Sequence, residues 1–312
     1  MSAPDEFEQI ARLYRPLTRG APGAFGLLDD AAVVASRPGL DLVITKDALV
    51  EGVHFQPDTP PGLIARKLLR VNLSDLAAKG AEPYGYLLAV AWPAAYGWPQ
   101  RQAFAEGLKL DSDAYGLTLL GGDTTSTPGA LTLSLTMLGW VPAGRMVRRA
   151  GARAGDLVMV SGTIGDGALG LAAARGEIAD PDGFLAGRYH LPQPRVALRE
   201  ALHAHAHAAC DVSDGLVADA GHIAEASGVG LRLDLERTPL SPPAQVWLAA
   251  QPDRRAALVR LATGGDDYEI VCAAPGPIPG FTVVGEVVVA PGVEARVDGA
   301  PVDAGPGGWR HP

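Results

Sequence analysis

Lysine is scarce in this chain of 312 residues, where it occurs only as Lys46, Lys67, Lys79 and Lys109. In total, 26 basic residues stand against 35 acidic residues, which gives a formal net charge of −9. A protein that binds nucleic acid needs a concentrated basic face to meet the phosphate backbone. The composition therefore argues against a nucleic-acid-binding function.

Cysteines and long apolar segments are also few. Cys210 and Cys272 lie far apart between apolar neighbours, so we expect buried free thiols in a reducing compartment and not a disulfide framework. The best candidate for a membrane span, residues 86–98, is interrupted by Pro93 and followed by Pro99. The acidic N-terminus lacks the apolar core of a secretory signal. We expect a cytoplasmic protein without membrane association.

The length and the hydrophobic content favour two domains. Hydrophobic residues make up 47% of the 312 residues and charged residues 20%, which is enough material for two cores. Residues 142–155 interrupt the pattern of helices and strands, and we predict the domain boundary there. Residues 1–142 would form an N-terminal α/β domain and residues 143–312 a C-terminal α/β domain.

Hydrophobic periodicity predicts a mixture of helices and strands in both halves. Helices are predicted at residues 7–14, 61–79, 100–115, 165–174, 195–207 and 214–227. Strands are predicted at residues 31–35, 42–45, 84–92, 117–120, 131–141, 156–160, 229–235, 268–273, 281–289 and 295–297, the first two as a pair. The predicted fold class is α/β in the broad sense that includes α+β.

Acidic residues recur at the ends of apolar segments, each beside glycine, serine or threonine. In residues 117–127 an apolar strand runs into Gly121, Gly122 and Asp123, followed by four hydroxyl residues. Glycine lets the backbone turn sharply at a strand end, so we expect Asp123 at the tip of its strand. The same arrangement recurs at residues 28–33, 44–47, 72–75, 211–215 and 263–269.

One such acidic residue is ordinary turn chemistry, but six of them pose an electrostatic problem if they converge. Two carboxylates about 4 Å apart repel by several kcal/mol at a partly screened dielectric, so a cluster of them requires cations. Carboxylate and hydroxyl oxygens without soft ligands select hard ions, with Mg²⁺ first and Mn²⁺ or Ca²⁺ as substitutes. Composition and spacing alone thus predict a Mg²⁺-dependent site for polyphosphates.

Three other motifs are weaker. Residues 165–170 match the glycine pattern of dinucleotide-binding proteins, but no second parallel strand follows to complete the unit, so we favour a phosphate or packing turn. A Walker P-loop is absent from the sequence. His203 and His207 lie one helical turn apart, yet no cysteine or carboxylate stands at ligand spacing, and we expect a solvent-facing helix end there.

At the acidic segments the chain resembles the thiamine-monophosphate kinase family, which shares a superfamily with aminoimidazole ribonucleotide synthetase, selenophosphate synthetase and a hydrogenase maturation factor. The segments that carry the resemblance are residues 29–33, 47–55, 72–81, 121–125, 149–156, 211–216 and 263–269. The run Val50-Glu-Gly-Val-His-Phe55 is the most specific to the kinase. The reactive cysteine of selenophosphate synthetases and the C-terminal cysteine of the maturation factor are not present.

The resemblance implies an aminoimidazole ribonucleotide synthetase-like fold, in which the N-terminal domain contributes strands to a barrel that spans a homodimer. It implies ATP and several Mg²⁺ ions in the cleft between the domains, with thiamine monophosphate as the second substrate. The implied metal ligands are Asp30, Thr45, Asp47, Asp75, Asp123, Asp211 and Asp214, of which Asp47, Asp75, Asp123 and Asp211 form the catalytic set. The implied ATP contacts are Gly122, Asp123, Arg149 and Ser213, and the implied contacts to thiamine monophosphate are His54, Asp266 and Trp309.

The chain departs from the family pattern at three positions. Leu28 replaces a glycine, Lys46 replaces a small hydroxyl residue, and Asp266 replaces a glutamate.

The expected reaction is in-line transfer of the ATP γ-phosphoryl group to the phosphate of thiamine monophosphate, which gives thiamine diphosphate and ADP. Another ATP-dependent enzyme of the superfamily and a non-catalytic nucleotide-binding module remain as alternatives.

Overall fold

A computed structural model describes residues 5–309. Within this range the chain divides into two compact units. The first unit contains the residues up to Leu76 together with Ala81–Gly144, and the second contains Ala77–Gly80 and the residues from Arg145 onward. Each unit combines one sheet with helices, which confirms the predicted fold class.

The first unit is built on a four-stranded sheet. Its strands are β1 (Leu40–Val50), β2 (Glu82–Pro93), β3 (Thr118–Thr127) and β4 (Thr132–Pro142), in the spatial order β1-β4-β2-β3. Its helices are α1 (Glu6–Gln9), α2 (Pro61–Ala78) and α3 (Trp98–Tyr115), and short 3₁₀ segments cover Arg15–Thr18 and Pro22–Leu27. Because β2 and β3 are parallel, α3 forms the crossover between them.

Helix α3 packs against one face of this sheet. The Tyr86 hydroxyl on β2 lies 3.1 Å from the Ser112 hydroxyl on α3, and both side chains are buried. On the opposite face Leu42, Ile44 and Leu87 are exposed, Ile44 by 61% of its surface. This exposed apolar face follows from the strand period of two, which sends alternate side chains to opposite sides.

The second unit contains a seven-stranded sheet in the order β11-β10-β7-β9-β5-β8-β6. Its strands are β5 (Leu157–Ser161), β6 (Ala208–Asp211), β7 (Gly230–Asp234), β8 (Ile270–Ala274), β9 (Phe281–Val288), β10 (Gly292–Val297) and β11 (Ala300–Pro301). Its helices are α4 (Asp166–Ala174), α5 (Phe184–His190), α6 (Arg199–His205), α7 (Leu216–Ser227), α8 (Pro242–Ala249) and α9 (Arg254–Ala262). The sheet is mixed, and only β7 and β10 pair in parallel.

Apolar clusters lie on both faces of the second sheet. Val158 and Cys210 belong to the cluster that includes α7, whereas Met159 and Cys272 belong to the cluster on the other face. Both cysteines are free and buried, which confirms the prediction of buried thiols. Since the register pairs Ala209 with Cys272, the two thiols project to opposite sides of the sheet.

Helices α5, α8 and α9 were not predicted from the sequence, and two of the predicted elements differ in the structure. Residues 31–35 form no strand: β1 pairs with β4 instead, and the segment is held by a hydrogen bond from Val33 N–H to the Gly23 carbonyl. The predicted helix over 195–207 is divided into a 3₁₀ turn at Val196–Leu198 and α6. None of the helices in residues 5–309 combines the length and apolar character needed to span a membrane.

Candidate active site

The first group of candidate residues lies where β1 meets the end of α2. Thr45 and Asp47 are alternate residues of β1 and share one face of the sheet, and Asp75 is in the last turn of α2. The Thr45 hydroxyl donates a hydrogen bond to the Asp75 carboxylate. Burial, and then the negative charge of Asp75, raises the pKa of Asp47 to about 7. These oxygen donors fit a hard divalent cation, which would favour the charged form of Asp47.

This raised pKa predicts how the metal-free protein responds to pH. A carboxyl with a folded-state pKa above its unfolded value binds its proton more tightly when folded. Its stabilising contribution is complete below about pH 4 and is lost as the pH rises through about 7. The Asp47→Asn variant should therefore be more stable than the unmodified protein at pH 8. The upper limit of this difference in the free energy of unfolding is about 4 kcal/mol, and solvent screening makes the difference smaller.

Thermal melts in a chelator between pH 4 and pH 8 test this expectation. The melting temperatures of Asp47→Asn and of the unmodified protein should diverge as the pH rises. A constant difference across this range would contradict the burial of Asp47 beside a second acidic group.

His54 follows β1 in a short loop whose conformation is fixed by three hydrogen bonds. The Val50 N–H donates to His54 Nδ1 over 3.0 Å, and the His54 N–H donates to the Val50 carbonyl over 2.9 Å. The ammonium of Lys67, a side chain that is only 2% exposed, donates to the His54 carbonyl over 3.2 Å. Because Nδ1 is an acceptor, the ring proton of neutral His54 is on Nε2, which can donate to an anion.

Asp30 and Asp123 form the second group. Both line a cavity of about 680 Å³ together with Gly122 and apolar residues of β2 and β3. Asp123 is exposed and lies inside β3, not at the tip of the strand. The strand continues through the two glycines with a bulge opposite Tyr86 and Leu87, so the predicted turn is wrong.

Within one chain, Asp47 and Asp123 lie at opposite edges of the first sheet. The register connects Asp47 to Leu135 on β4, to Leu88 on β2 and then to Gly122 on β3. Three strand spacings correspond to about 14 Å. One metal ion cannot bind both carboxylates across this distance, because Mg²⁺ holds its ligands at about 2.1 Å.

The third group lies at the start of α7. Asp211 ends β6 with 6% of its surface exposed, and Ser213 and Asp214 follow in the turn before the helix. The Trp309 N–H donates to the Asp214 carbonyl over 3.0 Å, and the Asp266 N–H donates to the Ser213 carbonyl over 2.8 Å. These bonds bring four of the candidate residues of the second unit together.

Two residues near Asp214 were not predicted from the sequence. The Asp219 carboxylate accepts hydrogen bonds from the N–H groups of Asp214 and Gly215 over 3.0 and 3.1 Å. Burial, and then the charge of Asp214, raises the pKa of Asp219 to about 7. Asp214, Asp219 and His222 each offer one ligand atom, and these atoms lie within 4.8 Å of one another. The only sequence signal was the spacing of Asp219 and His222, which places them on one helix face.

A cavity of about 690 Å³ adjoins this group. It is lined by Asp214, His222, Glu225, Asp303 and Trp309, among others. The Trp309 side chain is 57% exposed and offers an aromatic surface at this cavity. Arg149 lies elsewhere on the same unit, where it is exposed and its carbonyl accepts a hydrogen bond from Ser227.

The glycine pattern at residues 165–170 has a packing role. Gly165 has a φ of +89°, and a Cβ on Gly167 would lie 2.3 Å from the carbonyl carbon of Asp266. The Asp267 carboxylate accepts the N–H groups of Gly165 and Gly167 and so caps the start of α4. Burial raises the pKa of Asp267 to about 8. Of the two expected roles, a phosphate turn or a packing turn, these contacts support the packing turn.

The histidines at residues 203–207 do not form a metal site among the described residues. His203 Nε2 lies 2.7 Å from the Gly80 carbonyl, and His207 Nδ1 lies 2.9 Å from the Asp156 carboxylate. Both side chains are partly buried, whereas His205 at the end of α6 is exposed. The expectation of a solvent-facing helix end is therefore confirmed for His205 and wrong for His203 and His207, whose rings make structural contacts inside the second unit.

Two family models match the chain and cover most of its length. They describe the N-terminal domain of AIR synthase related proteins, over residues 28–141, and the C-terminal domain of the same class, over residues 153–298. The fold and the acidic groups therefore define an AIR synthase related protein.

More specific comparisons agree with one another. A thiamine-monophosphate kinase of Caulobacter vibrioides is 55% identical over 320 aligned positions, which cover 99% of this chain and 91% of that relative. The crystal structure of the thiamine-monophosphate kinase from Stenotrophomonas maltophilia K279a is similar with a TM-score of 0.82 and 36% identity, covering 97% of this chain and 99% of that chain. The structure of AaThiL complexed with AMPPCP and TMP has a TM-score of 0.80 and 32% identity, covering 93% and 97%. The chain belongs to the thiamine-monophosphate kinase family.

Proposed function

We propose that this chain transfers the γ-phosphoryl group of ATP to the phosphate of thiamine monophosphate, which yields thiamine diphosphate and ADP. The observation that carries this proposal is the pairing of Asp47 with Asp75, two neighbouring carboxylates whose charges call for a cation. The names of the relatives and the ligands of the similar complex support the choice of substrates. The acceptor phosphate is already an anion at neutral pH, so positioning and charge neutralisation supply the catalysis.

The proposed metal is Mg²⁺, present as several ions. The residues that would hold it offer only oxygen atoms: Asp30, Thr45, Asp47, Asp75, Asp123, Asp211 and Asp214. Bound Mg²⁺ neutralises the charge on the phosphates during transfer. Of the ligands, Asp47, Asp75, Asp123 and Asp211 form the proposed catalytic set, since these carboxylates would orient the phosphates through the ions.

The remaining candidate residues bind the two substrates in this proposal. Gly122, Asp123, Arg149 and Ser213 would contact ATP. His54 would donate its Nε2–H to the acceptor phosphate, because Nδ1 is occupied by the Val50 N–H. Trp309 would form a wall for the thiamine rings, with cation–π attraction to the positive thiazolium, and Asp266 would contact the same acceptor.

We further infer that the active form is a homodimer. Asp47 and Asp123 lie too far apart in one chain to share an ion, and β1 and β3 are the edge strands of their sheet. A second copy that meets this sheet edge to edge would close the barrel that the family resemblance implies. The exposed Leu42, Ile44 and Leu87 would then be covered.

We retain the division into residues 1–142 and 143–312 as a proposal for the functional domains. The N-terminal domain would provide dimerisation and part of the ATP and Mg²⁺ site, and the C-terminal domain the remaining contacts. The buried free thiols of Cys210 and Cys272 suit a reducing compartment, and we place the reaction in the cytoplasm.

Product analysis tests the proposed function. Purified protein with Mg²⁺, ATP and thiamine monophosphate should form one thiamine diphosphate per ADP, measured by mass spectrometry. Free thiamine should be a poor acceptor because it lacks the phosphate that binds beside the γ-phosphoryl group. Formation of aminoimidazole ribotide from its formylglycinamidine precursor would instead identify another enzyme of the superfamily. A lack of ADP with either acceptor would favour a nucleotide-binding module.

A further inference from the structure

The turn between α9 and β8 has an unusual backbone. Asp266 and Tyr268 are not glycines, yet their φ angles are +59° and +52°. A left-handed conformation is strained for residues other than glycine, although aspartate tolerates it better than tyrosine does. Such residues persist where the surrounding structure imposes the conformation, and they cluster at functional sites. The contacts that hold Asp266 and Tyr268 in this conformation therefore bear on the function of the turn.

Backbone hydrogen bonds align this turn with the two residues that follow β6, Val212 and Ser213. The N–H groups of Asp266 and Tyr268 donate to the carbonyls of Ser213 and Val212, each over 2.8 Å. The Val212 N–H donates to the Glu269 carbonyl over the same distance. The position of Asp266 is thus tied to the position of the residue that closes the turn, Glu269.

Glu269 is fully buried, and its carboxylate accepts hydrogen bonds from three side chains. Arg195 approaches it with two nitrogens, Nε at 2.6 Å and Nη2 at 2.5 Å. Arg188 Nη2 lies 2.9 Å away and the Ser161 hydroxyl 2.7 Å away. We call Glu269, Arg188, Arg195 and Ser161 the Glu269 clamp.

Stability alone does not explain the Glu269 clamp. Removing two or more charges from water is costly, and apolar side chains of similar volume often stabilise a protein equally well or better. A carboxylate held by a two-pronged arginine gains geometric precision, because the planar guanidinium fixes the direction of both hydrogen bonds. The Glu269 clamp therefore fits a role in orienting the turn.

We propose that the Glu269 clamp is a positioning device for acceptor recognition, which holds Asp266 in its left-handed conformation so that its carboxylate can contact thiamine monophosphate. This inference rests on the proposed function, in which Asp266 contacts the acceptor. Glu269 acts through Asp266 and does not touch the substrate. The short side chain of Asp266 leaves little freedom to correct a displaced backbone.

Arg195 is the residue to change. Its side chain is 29% exposed, whereas that of Arg188 is 6% exposed. The Arg195→Met variant leaves the Glu269 carboxylate with Arg188 and Ser161 as partners, so folding should survive. Arg232→Met is the matched control, since Arg232 is 34% exposed and its Nη1 lies 2.7 Å from a Glu286 oxygen in the same sheet.

The expected result is a change in acceptor binding alone. Arg195→Met should raise the KM for thiamine monophosphate roughly tenfold, as expected when one charge-assisted contact is misplaced. The KM for ATP and the kcat should change less than about twofold, because a contact made equally in ground and transition states affects only KM. Arg195→Lys, which keeps the charge and loses the fork, should give an intermediate KM.

A double-mutant cycle shows whether the effect passes through Asp266. In an Asp266→Asn background, which tolerates the left-handed conformation and removes only the charge, Arg195→Met should raise the acceptor KM no further. An acceptor KM equal to that of Arg232→Met, or the same tenfold increase in the Asp266→Asn background, would overturn the proposal. If Arg195→Met fails to fold, Arg195→Lys takes its place in the same comparison. Failure of the proposed function is distinct, since the unmodified protein would then produce no thiamine diphosphate.

Discussion

Replacing Asp123 with asparagine is expected to lower turnover by about two to three orders of magnitude while the fold survives. The change keeps the size of the side chain and removes the charge that would hold Mg²⁺ beside the phosphates. A loss of about 3–4 kcal/mol of transition-state stabilisation corresponds to this decrease. Asp123 is exposed inside β3, and substitutions at exposed positions usually change stability by less than about 0.5 kcal/mol.

Steady-state ADP release with thiamine monophosphate measures this effect, and a thermal melt checks the fold. Glu82→Gln is the matched control, because Glu82 is also an exposed acid of the first sheet and lies outside the proposed site. Near-normal turnover in Asp123→Asn would contradict a role of Asp123 in the reaction and would indicate a purely structural role.

Replacing Gly122 with alanine is expected to cause a large loss of stability, unlike the change at Asp123. Gly122 has a φ of +159°, and a Cβ at this position would lie 1.9 Å from the Leu88 carbonyl oxygen on β2. This clash is with backbone, so β2 and β3 must separate. We expect a loss of roughly 3 kcal/mol, which lowers the melting temperature by about 6–12 °C.

The neighbouring glycine provides the control. A Cβ on Gly121 would meet only the Leu87 side chain, at 3.4 Å, which is ordinary contact for a flexible group. Gly121→Ala should therefore melt within about 2 °C of the unmodified protein. Equal melting temperatures for Gly121→Ala and Gly122→Ala would contradict the close approach of β3 to Leu88.

Local patterns predicted most of the elements of the fold. Residues 61–79 and 100–115 have the helical apolar period, and the structure has α2 and α3 there. Residues 31–35 are a short apolar run with two valines, which favours a strand. A strand also needs a neighbour, and β1 has β4 as its partner. Propensity within five residues cannot reveal which distant segment supplies the pairing.

The candidate site was predicted in its residue types and only partly in its arrangement. Gly121 and Gly122 resemble a turn in the sequence, yet Gly122 is needed because β3 passes so close to Leu88. The separation of Asp47 from Asp123 follows from the strand order of the sheet, which the sequence does not encode locally. Asp219 was not predicted because it lies within the first turn of α7, where its carboxylate caps the start of its own helix.

The destination of the γ-phosphoryl group tests the central claim most directly. The protein is incubated with thiamine monophosphate and ATP labelled with ³²P in the γ-position, with Mg²⁺ and, in parallel, with a chelator. Direct transfer predicts that the label appears in the terminal phosphate of thiamine diphosphate, in equal amount to ADP, and only with Mg²⁺. Label released as inorganic phosphate while thiamine monophosphate remains unchanged would contradict the account.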